Sequence, residues 1–350
     1  MRAIYFSEFA GELEVKEVLH PYAPEDGVVI EVKATGLCRS DWHAWMGHDT
    51  DVSLPHVPGH ELAGVVSEIG TGVNKFRVGD RVTVPFVNGC GECSYCQSGN
   101  AQVCPTQTQP GFTQWGSFAE FASIENADFN LVALPESISF STAAALGCRF
   151  ATAFRGLQAR AKINSGEWVA IFGCGGVGLS AILIAKAMGA RVIAVDISEA
   201  ALTKARQSGA DHLINSQSSK VLDEIQQLTQ GGAHVSVDAL GSQQTSSQSI
   251  LSLRRQGRHL QLGLLPTSDG FTAEPMARVI AYELTLLGSH GMAASNYPEM
   301  LDMVETGLLR PDLLVERVVG LQEGKSLLRS MGDSAGAIFG GVTIIDPSLD

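Results

Sequence analysis

The chain has 350 residues, enough for two domains, and its 45% hydrophobic content is ordinary for a protein with real cores. A formal charge of −13 repels phosphate backbones and anionic lipid, so nucleic acid and membrane surfaces are poor partners and solubility is the main use of the charge. No apolar run approaches the ~20 residues of a bilayer span. The opening MRAIYFSEFAGELEVKEV has neither an apolar h-region nor a small-residue cleavage site, so a cytoplasmic protein is expected.

The first ~150 residues are rich in short strand-like runs with Gly and Pro punctuation, among them VVIEVKATG, GHELAGVVSEIG, DRVTVPF and SFAEFASI. Cys38 in GLCRSDWH and His60 in PGHELAG are candidate metal ligands, although a lone Cys is usually a small buried hydrophobe. Cys90, Cys93, Cys96 and Cys104 carry a stronger signal, C-x2-C-x2-C-x7-C. Four thiolates so close can wrap one Zn²⁺ tetrahedrally in a site closed to water, and Pro105 with Gly89, Gly91 and Gly99 suits the tight loop required. An iron–sulfur cluster also takes four cysteines, but the known ferredoxin runs are spaced differently. Disulfides are disfavoured in a cytosolic chain. Cys148, in ALGCRFATAF, is a third isolated candidate ligand.

From Trp168 apolar β-runs alternate with helical stretches: WVAIF, VGLSAILIAKAMG, RVIAVD, SEAALTKARQSG, then HVSVDAL, RHLQLG and LTLLGS. This rhythm predicts an α/β unit with a parallel sheet covered by helices on both faces. It breaks after Ser289, where a helix near Tyr297–Thr306 and a closing strand AIFGGVTII are expected. The α/β unit therefore reads as inserted between two pieces of a β-rich domain. Gly173-Cys174-Gly175-Gly176-Val177-Gly178 follows a strand and opens a long helix. Gly173 permits the tight turn, Gly175 lets backbone approach a pyrophosphate, and Gly178 lets helix pack on strand, while the helix N-terminus attracts the phosphates. Cys174 reads as a small filler. Asp196 ends the next strand, where a carboxylate bonds the ribose hydroxyls and repels a 2′-phosphate, favouring NAD over NADP. A glycine-rich turn without ligand is the bland alternative, and the succession of strand, glycines, helix and acid argues against it.

Taken in order, Cys-Arg-Ser-Asp-x-His, Gly-His-Glu, the four-cysteine lobe, Gly-Cys-x-Phe-x-Thr and the glycine fingerprint resemble the zinc-containing medium-chain alcohol dehydrogenases over nearly the whole chain. The resemblance implies a GroES-like catalytic domain at 1–150, with its structural zinc lobe at about 88–106, a Rossmann NAD-binding domain at 151–289, and a segment 290–350 completing the first. It implies two Zn²⁺ per chain. One is structural; the other is catalytic, held by Cys38, His60 and Cys148 with substrate oxygen in fourth place, the Cys₂His set of alcohol dehydrogenase. Such a zinc stabilises the alkoxide that expels hydride to the nicotinamide. Ser40 and His43 match a proton relay through the cofactor ribose to water. Asp41 matches a carboxylate that orients the histidine ligand. Glu61 either approaches the zinc or makes an ion pair.

On the cofactor side, Arg39 matches an arginine that grips the pyrophosphate in bidentate fashion, with a solvated surface arginine as the plain alternative. Thr152 and Val177 match residues packed against the nicotinamide. Gly263, Leu264 and Ser289, just past later strands, join Gly173, Gly175, Gly176, Gly178 and Asp196 as expected cofactor contacts. Phe86, Trp115 and Phe118 align with an apolar substrate pocket, although such residues are more often plain core. The loop Trp45–Pro58, with His48, Asp49, Asp51 and His56, is expected near the pocket mouth, facing either substrate or solvent.

Two departures weaken the expectation of tight cofactor binding. Ala201 stands where some relatives carry a basic residue after the ribose acid, and AIFGGVTII lacks the pyrophosphate-binding arginine of others. Cys148 rather than Asp or Glu as third ligand leans toward simple alcohols. The short segment from Cys104 to Phe118 resembles the bacterial, often tetrameric, branch, so a homo-oligomer is expected, tetramer ahead of dimer. The expected activity is oxidation of a small alcohol to aldehyde or ketone with NAD⁺, and the reverse. The polar mouth loop keeps a polyol, sugar-alcohol or amino-alcohol dehydrogenase as an alternative. A non-catalytic zinc-stabilised dinucleotide-binding protein, or a zinc-free quinone reductase, would lack the ligands and relay residues present here.

Overall fold

In a computed structural model, which describes residues 1–265, 273–332 and 341–349, the alternation after Trp168 becomes a single parallel sheet. Its strands are Trp168–Phe172, Arg191–Asp196, His212–Asn215, Ala233–Asp238, Leu253–Gln261 and Thr285–Gly288. Every neighbouring pair runs parallel. Counted from Trp168 the spatial order is 3-2-1-4-5-6, the doubly wound arrangement. The first two strands bury nearly every side chain, as strands covered on both faces must. In such sheets ligands bind beyond the carboxyl ends of the strands where the order reverses, here past Phe172 and Asp238.

The second sheet draws on both flanks of this unit. Its order is Val315–Val319, Val342–Ile345, Val28–Leu37, Leu62–Ile69, Arg81–Thr83, Val132–Ala133, with Phe121–Ile124 also paired to Val28–Leu37. Thr35, Gly36 and Leu37 pair with Ile345, Ile344 and Thr343. Residues Ala337–Gly340 of the expected closing strand lie outside the described residues. The expected helix after Ser289 is present as Tyr297–Glu305. Ala34 and Ala63 from the β-rich part, Val169 and Ile171 from the parallel sheet, and Val342 and Ile344 belong to one continuous core. The helices Cys148–Arg155 and Gly176–Ala187 pack together at this junction, which sets the candidate ligand Cys148 close to the glycine turn. No described helix is long and apolar enough to cross a membrane.

A buried histidine is expected to make the parallel sheet acid-sensitive. His259, 2% exposed, is held by Ser236 Oγ at 3.2 Å, Ser249 Oγ at 3.1 Å and Gln261 Oε1 at 3.1 Å. Burial holds its pKa below the ordinary value, against Gln261 and Asp238. The unfolded chain protonates this ring below about pH 6.5 and the folded chain does not, so stability present above that pH is lost as pH falls toward the folded-state value. Melting temperatures should drop from pH 7.5 to 5.5, and His259→Asn should flatten that drop. Parallel curves for the two proteins would exclude His259 as a cause.

Candidate active site and metal centres

The strand Val28–Leu37 delivers Cys38 to the start of the helix Arg39–Trp45. There the buried Asp41 organises three segments. Its Oδ2 accepts from the Cys38 N–H at 2.9 Å, and its Oδ1 accepts from the Gly59 N–H at 3.1 Å and pairs with His60 Nδ1 at 2.8 Å. A carboxylate on Nδ1 fixes a proton there and turns Nε2 to the thiols, and against burial Asp41 and then Cys38 hold the His60 pKa above its ordinary value. His60 Nε2 is buried and has no hydrogen-bond partner. It lies in a group with the Cys38 and Cys148 thiols and a Glu61 oxygen, all within 4.8 Å of one another. A side-chain hydrogen bond with Cys148 holds Cys38 well below the usual thiol range, and the same interaction raises Cys148. An orphaned imidazole nitrogen between two such sulfurs is a donor set that fits Zn²⁺.

The second group that can hold a metal among the described residues is Cys90, Cys93, Cys96 and Cys104. Cys93 and Cys104 sulfurs lie 3.8 Å apart and those of Cys90 and Cys96 4.0 Å apart. Tetrahedral Zn–S bonds of about 2.3 Å require sulfurs about 3.8 Å apart, so this spacing fits zinc, whereas a disulfide needs about 2.05 Å. Backbone N–H groups point at the sulfurs: Cys93 N–H donates to Cys90 Sγ at 3.4 Å and Cys96 N–H to Cys93 Sγ at 3.5 Å. Hydrogen bonds from the backbone of Glu92 and Cys93 bring the Cys90 thiol down to about 6, the thiolate form a metal needs.

The glycine turn has the shape of a phosphate cradle. Gly173 takes φ +92°, which an L side chain resists, and any side chain at Gly178 would collide with the Gly173 carbonyl oxygen. Gly175 faces open space. Asp196 Oδ2 accepts from the Cys174 N–H at 2.7 Å and Oδ1 from the Ser198 N–H at 2.9 Å, which anchors the carboxylate beside the turn with lone pairs to spare. Across the crevice, Gly263 packs against Gly241 so closely that a side chain would not fit, and Leu264 is exposed.

The chain is similar to known proteins. Residues 24–136 match the alcohol dehydrogenase GroES-like domain, and residues 176–306 match zinc-binding dehydrogenase. An alcohol dehydrogenase of Geobacillus stearothermophilus is 37% identical over 268 residues, 76% of this chain and 78% of the relative. The chain belongs to the zinc-containing medium-chain dehydrogenase family. Another alcohol dehydrogenase of that organism is 34% identical over 89% of this chain and 90% of its own. The crystal structure of an NAD-dependent alcohol dehydrogenase superposes with TM-score 0.88 at 31% identity, covering 99% of both chains. This dehydrogenase is thus an oxidoreductase of small molecules, with a GroES-like part and a Rossmann-like part.

Around the dehydrogenase's candidate metal site the remaining expected residues are distributed unevenly. Ser40 Oγ lies 3.8 Å from Cys38 Sγ. His43, one turn further along the same helix face, pairs through Nδ1 with Nδ1 of the exposed His48 at 2.9 Å. Burial, then the charges of His48 and Arg39, hold the His43 pKa below its ordinary value. Arg39 stacks over Trp42 and donates to the Met331 carbonyl at 3.0 Å. Thr152 and Ser289 meet: Ser289 Oγ donates to the Thr152 carbonyl at 3.2 Å, and Thr152 Oγ1 accepts from the Gly291 N–H. Val177 is half-buried in the first turn after Gly176.

Phe86 stands edge-on to His60, with centroids 6.0 Å apart. Phe118 is fully buried in the core with Ile4 and Phe6, and Trp115 packs on Tyr5 and donates to the Pro55 carbonyl. In the mouth loop His56 turns inward: it is 1% exposed and bridges to Phe6 through the backbone. Four contacts had no separate signal in the sequence. They are Phe112, 5.1 Å from the His60 ring, His290 against Phe86, the His48 pairing, and Arg149, which is bonded to Glu61.

Proposed function

We propose that this dehydrogenase oxidises a small alcohol to an aldehyde or ketone with NAD⁺, and catalyses the reverse. One observation carries the reading: the buried, unpartnered His60 Nε2 belongs to a group with the Cys38 and Cys148 thiols, and the residue after Cys148, Arg149, lies so near Gly176 of the dinucleotide turn that a Cβ there would stand 2.8 Å from its Cδ. That adjacency supports a Lewis-acid site next to a dinucleotide site. Cys38, His60 and Cys148 would hold the catalytic zinc, and the four-cysteine lobe the structural one. When bound, the metal supplies Lewis acidity and the nicotinamide a hydride acceptor. Ser40 takes the hydroxyl proton. His43, whose pKa burial holds below its ordinary value, receives it on the helix face it shares with Ser40, and the exposed His48 hands it to water. Asp41 keeps His60 in the tautomer that donates through Nε2.

Phe86 and Phe112 flank His60, which supports a simple or aromatic alcohol over a polyol. The reading includes a cytoplasmic enzyme, supported by seven cysteines free of disulfides. It also includes a homo-oligomer, tetramer ahead of dimer. The open edge strand Thr285–Gly288 with exposed Leu286, beside exposed Ile280 and Met276, supports self-association.

Metal content measured together with NAD⁺ reduction on an alcohol panel tests this function. Two zincs per chain and turnover of simple or aromatic alcohols are expected; one zinc without turnover would overturn it. The cofactor choice rests on Asp196. Asp196→Ala should move the NAD/NADP preference by about tenfold or more toward NADP, since a charge-assisted hydrogen bond and a repulsion are both removed. An unchanged preference would remove Asp196 from the ribose site.

A further inference from the structure

Arg149 stands between the two halves of the site. Its backbone N–H and its Nε both donate to Glu61 Oε1 at 3.2 Å, and its Nη2 pairs with Glu61 Oε2. The side chain is 11% exposed and that of Glu61 1% exposed. Two of the three guanidinium nitrogens are thus spent on one carboxylate. The third, Nη1, with two N–H donors, has no hydrogen-bond partner among the described residues. It lies where the glycine turn begins its helix: a Cβ on Gly176 would stand 3.3 Å from Nη1 and 2.8 Å from the Arg149 Cδ. Gly176 is the first residue of the helix Gly176–Ala187, whose unpaired N–H groups and positive dipole end face the phosphate position. The missing side chain at Gly176 therefore makes room for an arginine as well as for a ligand. The stretch AIFGGVTII contains no arginine that could serve there instead.

We propose that Arg149 is a cofactor-binding residue whose Nη1 grips the dinucleotide pyrophosphate while Nε and Nη2 hold Glu61. The proposal rests on the dinucleotide function proposed above. Glu61 then has a defined role, because its carboxylate fixes the guanidinium plane so that the free edge faces the helix N-terminus. The arrangement also ties the cofactor to the metal site through consecutive residues, because Cys148 is a candidate ligand and Arg149 a candidate phosphate clamp on one helical turn. The geometry suits arginine and not lysine, since a single ammonium cannot serve a carboxylate and a phosphate in a fixed fork.

The test is equilibrium binding of NADH and of ADP-ribose to the zinc-loaded full chain, read by fluorescence and calorimetry, with metal content measured on every sample. Arg149→Gln should weaken both ligands about 10- to 100-fold and flatten the salt dependence of binding. Glu61→Gln, whose amide oxygen still accepts from Nε, loosens the guanidinium but leaves its charge and Nη1 in place, so it should weaken both ligands clearly less than Arg149→Gln does. Binding by Arg149→Gln within twofold of wild type at wild-type metal content would overturn the proposal. So would equal losses in Arg149→Gln and Glu61→Gln, which would mean that Arg149 acts only through Glu61. Where Arg149→Gln fails to fold or loses zinc, Arg149→Lys decides: a loss of about threefold or more is expected, and unchanged affinity overturns the assignment. A wild-type protein that binds neither NADH nor ADP-ribose would sink the dinucleotide function and this proposal together.

Discussion

Cys148→Ala should lower alcohol turnover by about 10³-fold or more, remove one of two zincs, and leave the melting temperature within a few degrees of wild type. The half-buried Cys148 sulfur lies within 4.8 Å of the Cys38 sulfur, a His60 nitrogen and a Glu61 oxygen, and without it two donors with a Glu61 oxygen already committed to Arg149 make a poor site. The fold should tolerate the change because alanine suits the first turn of the helix Cys148–Arg155, whose packing against the parallel sheet rests on Phe150, Ala151, Ala153 and Phe154. The measurement is steady-state turnover with metal analysis and a thermal melt on the same sample. Full activity would remove Cys148 from the ligand set.

Cys93→Ala should fail in the opposite order. Its sulfur lies 3.8 Å from that of Cys104 and accepts the Cys96 N–H, and the lobe's other packing is small, with Ala101, Ala293 and Phe129 around the cysteines. A lobe this poor in apolar contacts depends on its metal for its shape. Loss of one zinc should lower the melting temperature by roughly 10 °C, with loss of activity following unfolding and not preceding it. A stable protein short of one zinc and otherwise normal would contradict the structural role.

The parallel sheet and the glycine turn were legible because each is a local pattern: apolar strand, glycines and helix follow one another within a few residues. The four-cysteine lobe was legible for the same reason, since its spacing is its geometry. Cys38, His60 and Cys148 became readable only as a set, through their resemblance to a family, because nothing local says that three loops converge. Arg149 marks the limit of local pattern. It follows Cys148 directly, but its partner Glu61 is 88 residues away, and only the folded chain shows that its third nitrogen has no partner among the described residues. His56 shows the opposite failure. It sits in a polar loop that suggested the pocket mouth, but the backbone pairing with Phe6 turns its ring inward, and that pairing leaves no trace in the composition of the loop.

The strand that ends at Cys38 has consequences for how the protein is made. Thr35, Gly36 and Leu37 find their antiparallel partners in Thr343, Ile344 and Ile345, the last strand of the described chain to leave the ribosome. Until then the segment leading into the first candidate ligand has one edge without its partner, while Cys90 to Cys104 are close in sequence. The four cysteines can therefore gather early, whereas the strand that leads to Cys38 gains its full pairing only once Ile345 has been made.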